Sequence, residues 1–148
     1  MKIKITLKAV FTFLFLLTTL LLNAQTNLAV GIYKRIIETK SNDTLKYELT
    51  LNSDGTFVFA YYSNIRLRVP AETNYSGKGF WSIKNNVVSF VSDKKNDLND
   101  KYTLDFSNSK ARFITKSPRD KSDRIIETKL QFLESSLPWV SRVLLVKL

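Results

Sequence analysis

Strict alternation of apolar and polar residues is the feature that most limits the fold of this chain. The clearest block places apolar side chains at every second position, namely Leu45, Tyr47, Leu49 and Leu51. Further blocks repeat the spacing with Phe57, Phe59 and Tyr61, with Trp81 and Ile83, and with Tyr102, Leu104 and Phe106. Successive side chains of a strand point to opposite faces, so this pattern predicts half-buried antiparallel strands. Helical periodicity is nearly absent after the first 24 residues.

Turn residues separate these blocks. Asp54-Gly55 is a hairpin signal because glycine adopts positive φ without steric cost, and Asn85-Asn86 also tolerates left-handed backbone. Ser107-Asn108-Ser109 predicts a third turn. Gly77 and Gly79 share the face of Trp81 within a predicted strand, where glycine marks a bend or a close backbone approach.

The strand boundaries follow from the blocks and the turns. Strands are predicted over Tyr75 to Lys84, Val87 to Val91, Lys101 to Phe106, Ala111 to Thr115 and Arg124 to Leu133. Ser63 to Thr73 contains Pro70 and is predicted to be a mobile connection with a short edge strand. Trp139 to Leu148 is compatible with an amphipathic helix, but its continuous apolar run favours a buried final strand.

Eight or nine strands with short connections define an all-β domain, either a sandwich or an antiparallel meander closed into a barrel. Closure removes the unpaired strand edges that a sheet otherwise exposes, so we favour a closed or nearly closed barrel.

The first segment is typical of an export signal. Three lysines precede fourteen uncharged residues from Ala9 to Leu22, and the polar residues Asn23-Ala24-Gln25 follow. The apolar run is shorter than the roughly 20 residues of a membrane-spanning helix, so a permanent anchor is the less favoured alternative. We expect a signal helix over residues 1–24, cleavage after Ala24, and a mature domain over residues 25–148 that is periplasmic or extracellular.

The absence of cysteine and histidine excludes several classes of function. Without these residues the chain cannot form a Ser-His-Asp or Cys-His catalytic site, a histidine or cysteine zinc site, or a disulfide. Alternation turns Glu48, Asp105 and Glu127 towards solvent, away from any shared cleft for glycoside hydrolysis. We therefore expect no catalytic residues and no cofactor.

The densest acidic cluster comprises Asp93, Asp97 and Asp100. Its spacing differs from that of a calcium-binding EF-hand loop, the required glycine is missing, and Lys94 and Lys95 oppose cation binding. We expect a solvated loop and no metal site.

The mature chain is basic. Removing residues 1–24 leaves 20 basic and 13 acidic residues, a net charge of +7. This charge serves solubility or attracts an anionic envelope component such as lipid headgroups or polyanionic glycans, whereas no nucleic-acid motif is present. If the charge forms a docking surface, the following basic residues should gather on one side: Arg66, Arg68, Lys110, Arg112, Lys116, Arg119, Lys121 and Arg124.

Three stretches resemble small bacterial lipocalin-like proteins. They are Gly31-Ile32-Tyr33, Leu49 to Phe57 with its Asp54-Gly55 turn, and Gly79 to Val87, so the resemblance covers about residues 31–91. Lipocalins open with Gly-x-Trp, whose tryptophan packs against a basic residue of a late strand. Here Tyr33 replaces the tryptophan, and Arg124 is the candidate partner. The resemblance implies a non-enzymatic antiparallel barrel that holds a small apolar molecule.

The aromatic residues are candidates for core packing or for a ligand pocket. An eight-stranded barrel is only wide enough for side chains or one small ligand. We expect Tyr61 and Trp81 to form walls that offer hydrogen bonds beside the apolar ring of Phe59. Two functions follow, either a barrel that binds a small hydrophobic ligand or a pocketless interaction module with a basic surface.

One six-residue sequence, Arg-Ile-Ile-Glu-Thr-Lys, occurs at Arg35 to Lys40 and again at Arg124 to Lys129. The repeat is either a coincidence of two β-prone segments or a sign that the first and a late strand occupy equivalent places where the barrel closes.

Overall fold

The structure, a computed structural model, describes residues 28–148. This part of the chain folds into eight antiparallel strands. The strands are β1 (Gly31–Glu38), β2 (Thr44–Leu51), β3 (Thr56–Asn64), β4 (Glu72–Lys84), β5 (Val87–Val91), β6 (Ser109–Ile114), β7 (Lys129–Glu134) and β8 (Leu144–Lys147). No helix within residues 28–148 is long and apolar enough to cross a membrane. The predicted signal helix over residues 1–24 and the cleavage after Ala24 lie outside the described residues.

Each strand pairs with the next along the chain, and β8 returns to pair with β1, so the sheet is a closed barrel. This arrangement confirms the predicted all-β meander closed into a barrel, and the sandwich alternative is wrong. The pairing of β8 with β1 comprises Tyr33 with Lys147 and Lys34 with Val146, and the backbone N–H of Leu148 also donates to the carbonyl of Ile32 at 2.9 Å.

The register directs the alternating apolar residues into the barrel. On β3, Phe57 pairs with Leu51, Phe59 with Leu49, and Tyr61 with Tyr47 of β2. Leu49, Leu51, Phe57 and Phe59 are almost completely buried. The apolar face of each strand therefore forms one continuous core, as the alternation predicts.

Two of the three predicted turns are confirmed as hairpin turns, whereas the turn at Ser107-Asn108 leads into β6 from a segment that is not a strand. Between β2 and β3, Gly55 has φ of +83°, and the Asp54 carboxylate accepts hydrogen bonds from the hydroxyl and the backbone N–H of Thr56. These bonds, the hydroxyl bond above all, hold the pKa of Asp54 below its ordinary value. Between β4 and β5, Asn85 and Asn86 both have positive φ.

The strand predicted over Lys101 to Phe106 is absent. This segment instead crosses the inner face of β4, where the backbone N–H groups of Thr103 and Leu104 donate to the carbonyl of Ser76. A Cβ atom on Gly77 would lie 2.9 Å from a ring carbon of Phe106. The physical reason is a mismatch of length, because β4 has 13 residues and β5 has five, which leaves part of β4 for this segment to cover.

Other predicted boundaries also need correction. Ser63 to Thr73 contains no short edge strand, because β3 continues to Asn64 and β4 begins at Glu72, with a loop over residues 65–71 between them. The predicted strand from Arg124 begins only at Lys129, where pairing with both β6 and β8 starts. The final strand is confirmed for Leu144–Lys147, whereas Trp139 lies in a turn.

The two copies of the repeated sequence do not occupy equivalent places. The first lies in β1 and the turn after it, and the second lies mostly in the loop before β7. Both copies nevertheless adjoin β8. Val146 of β8 pairs on one side with Lys34, which precedes the first copy, and on the other side with Lys129, the last residue of the second copy. The same six residues therefore adopt different structures according to their tertiary partners.

An antiparallel meander places alternate connections at opposite ends of the barrel. We call one end the mouth; it is formed by the connections at residues 39–43, 65–71, 92–108 and 135–143. We call the other the terminal end; it carries Leu28, Leu148 and the connections at residues 52–55, 85–86 and 115–128.

Candidate functional site

Aromatic rings fill the middle of the barrel. Phe106 enters from the connection between β5 and β6, and its ring centroid lies 4.8 Å from that of Phe59 and 5.4 Å from that of Phe57. Phe90 and Phe132 also contact Phe106, each with ring centroids 6.2 Å away. All five rings are buried. In the part of the chain that the structure describes, these packed rings occupy the middle of the barrel, where a deep ligand cup would lie.

A shallow pocket of about 390 Å³ opens at the mouth. Its lining consists of Tyr61, Arg68, Tyr75, Leu104 and Trp139. The ring centroids of Tyr61 and Trp139 are 4.5 Å apart, and Tyr75 stacks on Tyr61 with an interplanar angle of 9° and a centroid distance of 6.3 Å. Three rings, one aliphatic side chain and one guanidinium thus surround an open hollow.

The strand register positions two of these rings. Tyr61 of β3 pairs with Tyr75 of β4 on one side and with Tyr47 of β2 on the other. Trp139 comes from the turn before β8, and Arg68 comes from the loop between β3 and β4. Tyr75 is 41% exposed and Trp139 is 37% exposed, so both rings remain accessible to a ligand.

Arg68 places a positive charge beside the rings of the pocket. Burial, followed by the neighbouring Tyr61, raises the pKa of Tyr47, and Arg35 opposes that rise. The hydroxyl of Tyr47, which is buried next to Tyr61 and does not line the pocket, therefore stays protonated at neutral pH. The arrangement can bind an apolar or aromatic group and place an anionic substituent beside Arg68.

The structure separates the three predicted pocket residues. Phe59 and Tyr61 belong to one cluster at the mouth, where both rings contact Trp139. Trp81 lies at the terminal end, where its indole N–H donates to the carbonyl of Asn52 at 3.0 Å and its side chain is buried. Ligand binding by Phe59, Tyr61 and Trp81 stays a prediction. Of the three, only Tyr61 lines the mouth pocket, and Phe59 is fully buried in the core.

Sequence reasoning missed Trp139, Tyr75 and Arg68 as pocket residues. Trp139 was assigned to the final strand, although the preceding Ser135-Ser136-Leu137-Pro138 signals a turn that carries an aromatic ring out of the strand pattern. Tyr75 was detectable because it continues the inward face of Gly77 and Trp81. No local signal places Arg68 beside them, since it arrives from a separate loop.

The terminal end is closed by a tyrosine and a lysine. The buried hydroxyl of Tyr33 donates to the carbonyl of Ala29 at 2.6 Å, and the Lys147 ammonium lies 6.0 Å from the Tyr33 ring centroid. Burial raises the pKa of Tyr33 and lowers that of Lys147. The prediction that Arg124 is the basic partner of Tyr33 is wrong. Arg124 lies in the loop before β7 and forms an ion pair with Asp120 at 3.3 Å.

A larger groove of about 750 Å³ lies at the terminal end, between Leu28, the turn at Asn85-Asn86 and the start of the loop after β6. Phe113 is the single ring in its lining, which is otherwise largely polar or aliphatic. This groove has no aromatic cluster comparable to that of the mouth.

The acidic cluster forms local contacts. Asp97 is buried, and its carboxylate lies 3.6 Å from the Lys78 ammonium and accepts a hydrogen bond from the backbone N–H of Asp93. The backbone N–H of Lys95 is the main cause that lowers the pKa of Asp93. Within residues 28–148, no three acidic side chains are grouped so that they can hold a metal ion.

The eight basic residues proposed as one docking surface are distributed over the mouth, the wall and the terminal end of the barrel. Arg66 and Arg68 lie on the mouth loop at residues 65–71. The other six follow β6 and the loop after it, from Lys110 to Arg124. They therefore do not gather on one side.

The fold is lipocalin-like in shape, with eight antiparallel strands in a closed barrel. No protein-family model matches the sequence, and comparisons with curated proteins and with solved structures found no match.

Proposed function

We propose that this protein is an exported, non-enzymatic barrel that binds a small apolar ligand at its mouth. The ligand class that fits best is an aromatic or aliphatic molecule with one anionic group. The lipocalin resemblance of residues 31–91 supports the same class of function, a barrel that carries a small molecule.

The observation that carries this proposal is the pocket formed by Tyr61, Tyr75, Trp139, Leu104 and Arg68. Its volume of about 390 Å³ suits a small molecule, since ligand sites start at roughly 300 Å³. The rings supply apolar contact area, and Arg68 supplies the charge that orients an anionic substituent.

A pocketless module with a basic docking surface is the weaker alternative. The basic residues that would form its surface are spread over the mouth loop at residues 65–71, strand β6 and the loop after β6.

The proposal is tested by titrating the protein with 8-anilinonaphthalene-1-sulfonate, an aromatic sulfonate, and recording the fluorescence of the probe. Trp139→Leu should weaken binding by about tenfold, because it removes the largest ring of the pocket. Arg68→Gln should weaken binding of the sulfonate while leaving binding of an uncharged naphthalene derivative nearly unchanged.

Two matched variants control for loss of a ring and loss of a charge elsewhere. Phe80→Leu removes an exposed ring on the outer face of β4, and Arg119→Gln removes an arginine at the terminal end. Both should bind the probe like the unmodified protein. Equal affinities for Trp139→Leu and Phe80→Leu would rule out the mouth pocket as the binding site.

A further inference from the structure

The loop between β3 and β4 presents two aliphatic side chains to solvent at the mouth. Leu67 is 100% exposed and Val69 is 97% exposed. Leucine and valine have no favourable interaction with water, so full exposure of two of them on one short loop is costly unless another surface covers them.

Hydrogen bonds hold this loop in its extended position. The backbone N–H of Ile65 donates to the carbonyl of Ala71 at 2.9 Å, and that of Arg68 donates to the carbonyl of Ile65 at 3.0 Å. The N–H of Arg66 donates to the carboxylate of Asp43 at 3.1 Å. The loop is therefore ordered before it meets a partner, which lowers the entropic cost of binding.

Charge and aromatic residues surround the aliphatic side chains. Arg66 and Arg68 alternate with Leu67 and Val69, and residues 65–71 contain no acidic residue. Half-exposed Trp139 and Tyr75 lie in the adjacent pocket that Arg68 also lines. Arginine binds phosphate groups, and tryptophan and tyrosine are the side chains enriched at membrane–water interfaces.

The shape of this surface favours a lipid layer over a folded protein partner. A stable protein interface needs roughly 800 Å² of contiguous surface on each side. Here a narrow loop protrudes between two hollows, one at the pocket and one lined by Ser41, Asp43 and the start of the loop. A fluid lipid layer can surround a protruding loop without shape complementarity.

We propose that the loop at residues 65–71 docks the mouth onto an anionic phospholipid surface, with Leu67 and Val69 among the acyl chains and Arg66 and Arg68 on lipid phosphates. Docking adds a partner to the proposed function. Leu67 and Val69, the aliphatic side chains of the docking loop, do not line the ligand pocket, whereas Arg68 belongs to both surfaces. The mouth would then face the membrane.

The test measures sedimentation with vesicles made of equal parts phosphatidylglycerol and phosphatidylcholine, and with vesicles of phosphatidylcholine alone. The protein is the chain from Gln25 onward, which contains all eight strands and the buried core. The unmodified protein should bind the anionic vesicles more tightly than the neutral ones. Leu67→Ser combined with Val69→Ser should weaken binding by about tenfold or more.

Ile125 provides a matched control at the terminal end. It is 94% exposed and also follows an arginine, Arg124. Ile125→Ser should bind vesicles like the unmodified protein. Arg66→Gln combined with Arg68→Gln should remove most of the preference for anionic vesicles, whereas Arg119→Gln should not.

Three results would each overturn docking by this loop. They are no binding of the unmodified protein to anionic vesicles, equal binding by the Leu67/Val69 double variant, and loss of binding in Ile125→Ser instead. Titration of the same double variant with the aromatic sulfonate, without vesicles, separates the two proposals. Normal sulfonate affinity with lost vesicle binding supports docking, and failure of the sulfonate to bind any variant affects the ligand proposal alone.

Discussion

At the scale of single residues, Gly77 explains how the barrel core is completed. Its inner face is covered by the segment that delivers Phe106, and a Cβ atom at this position would lie 3.0 Å from both the Cβ atom and the carbonyl oxygen of Leu104. The sequence predicted a bend or a close backbone approach at this glycine, and the close approach is confirmed. It did not predict which segment approaches, because that segment is distant along the chain.

Gly77→Ala should therefore destabilise the fold by about 1–3 kcal/mol, because the added methyl group displaces Leu104 and Phe106. Urea unfolding monitored by fluorescence gives the free energy of unfolding. Ser82→Ala, at an exposed position of the same strand, should change it by less than about 0.5 kcal/mol. Similar values for the two variants would mean that the segment does not cover Gly77.

At the scale of elements, hairpins were predictable and the longer connections were not. The turns at Asp54-Gly55 and Asn85-Asn86 have local causes in the backbone preferences of these residues. The same alternation from Tyr102 to Phe106 is expected for a strand and for an irregular segment that buries alternate side chains against β4. The choice between these structures depends on how the segment packs against β4, which is a tertiary property.

One hydrogen bond between two mouth connections should depend on pH. It is donated by the backbone N–H of Arg66 to the carboxylate of Asp43. The backbone N–H of Arg66 is the main cause that lowers the pKa of Asp43. Because the folded-state pKa lies below the unfolded value of about 3.9, this contact stabilises the fold above that pH and is lost as pH falls through the folded pKa.

The amide proton signal of Arg66 in NMR spectra should therefore titrate with a midpoint below about 3.9. Asp43→Asn should abolish that titration, since the amide has no carboxyl proton to lose. A midpoint at or above the unfolded value would show that the carboxylate does not accept this hydrogen bond.

At the scale of the whole molecule, the barrel and its inward residues follow from the alternation, whereas the pocket does not. Tyr61 of the pocket and Phe59 of the core follow from the strand register, which the apolar pattern sets. Trp139 and Arg68 join Tyr61 from two connections whose paths depend on the closed barrel. The alternation also gave no indication of position along the barrel axis, so it grouped Trp81 with Tyr61 although they lie at opposite ends.

The central claim is that rings fill the barrel and that a ligand binds only at the mouth. The chain has two tryptophans, and their indole N–H signals in a ¹⁵N–¹H NMR spectrum report separately on the mouth, through Trp139, and on the terminal end, through Trp81. During titration with the aromatic sulfonate, we predict that the Trp139 signal shifts to saturation while the Trp81 signal stays in place. A shift of the Trp81 signal with an unchanged Trp139 signal would contradict the account.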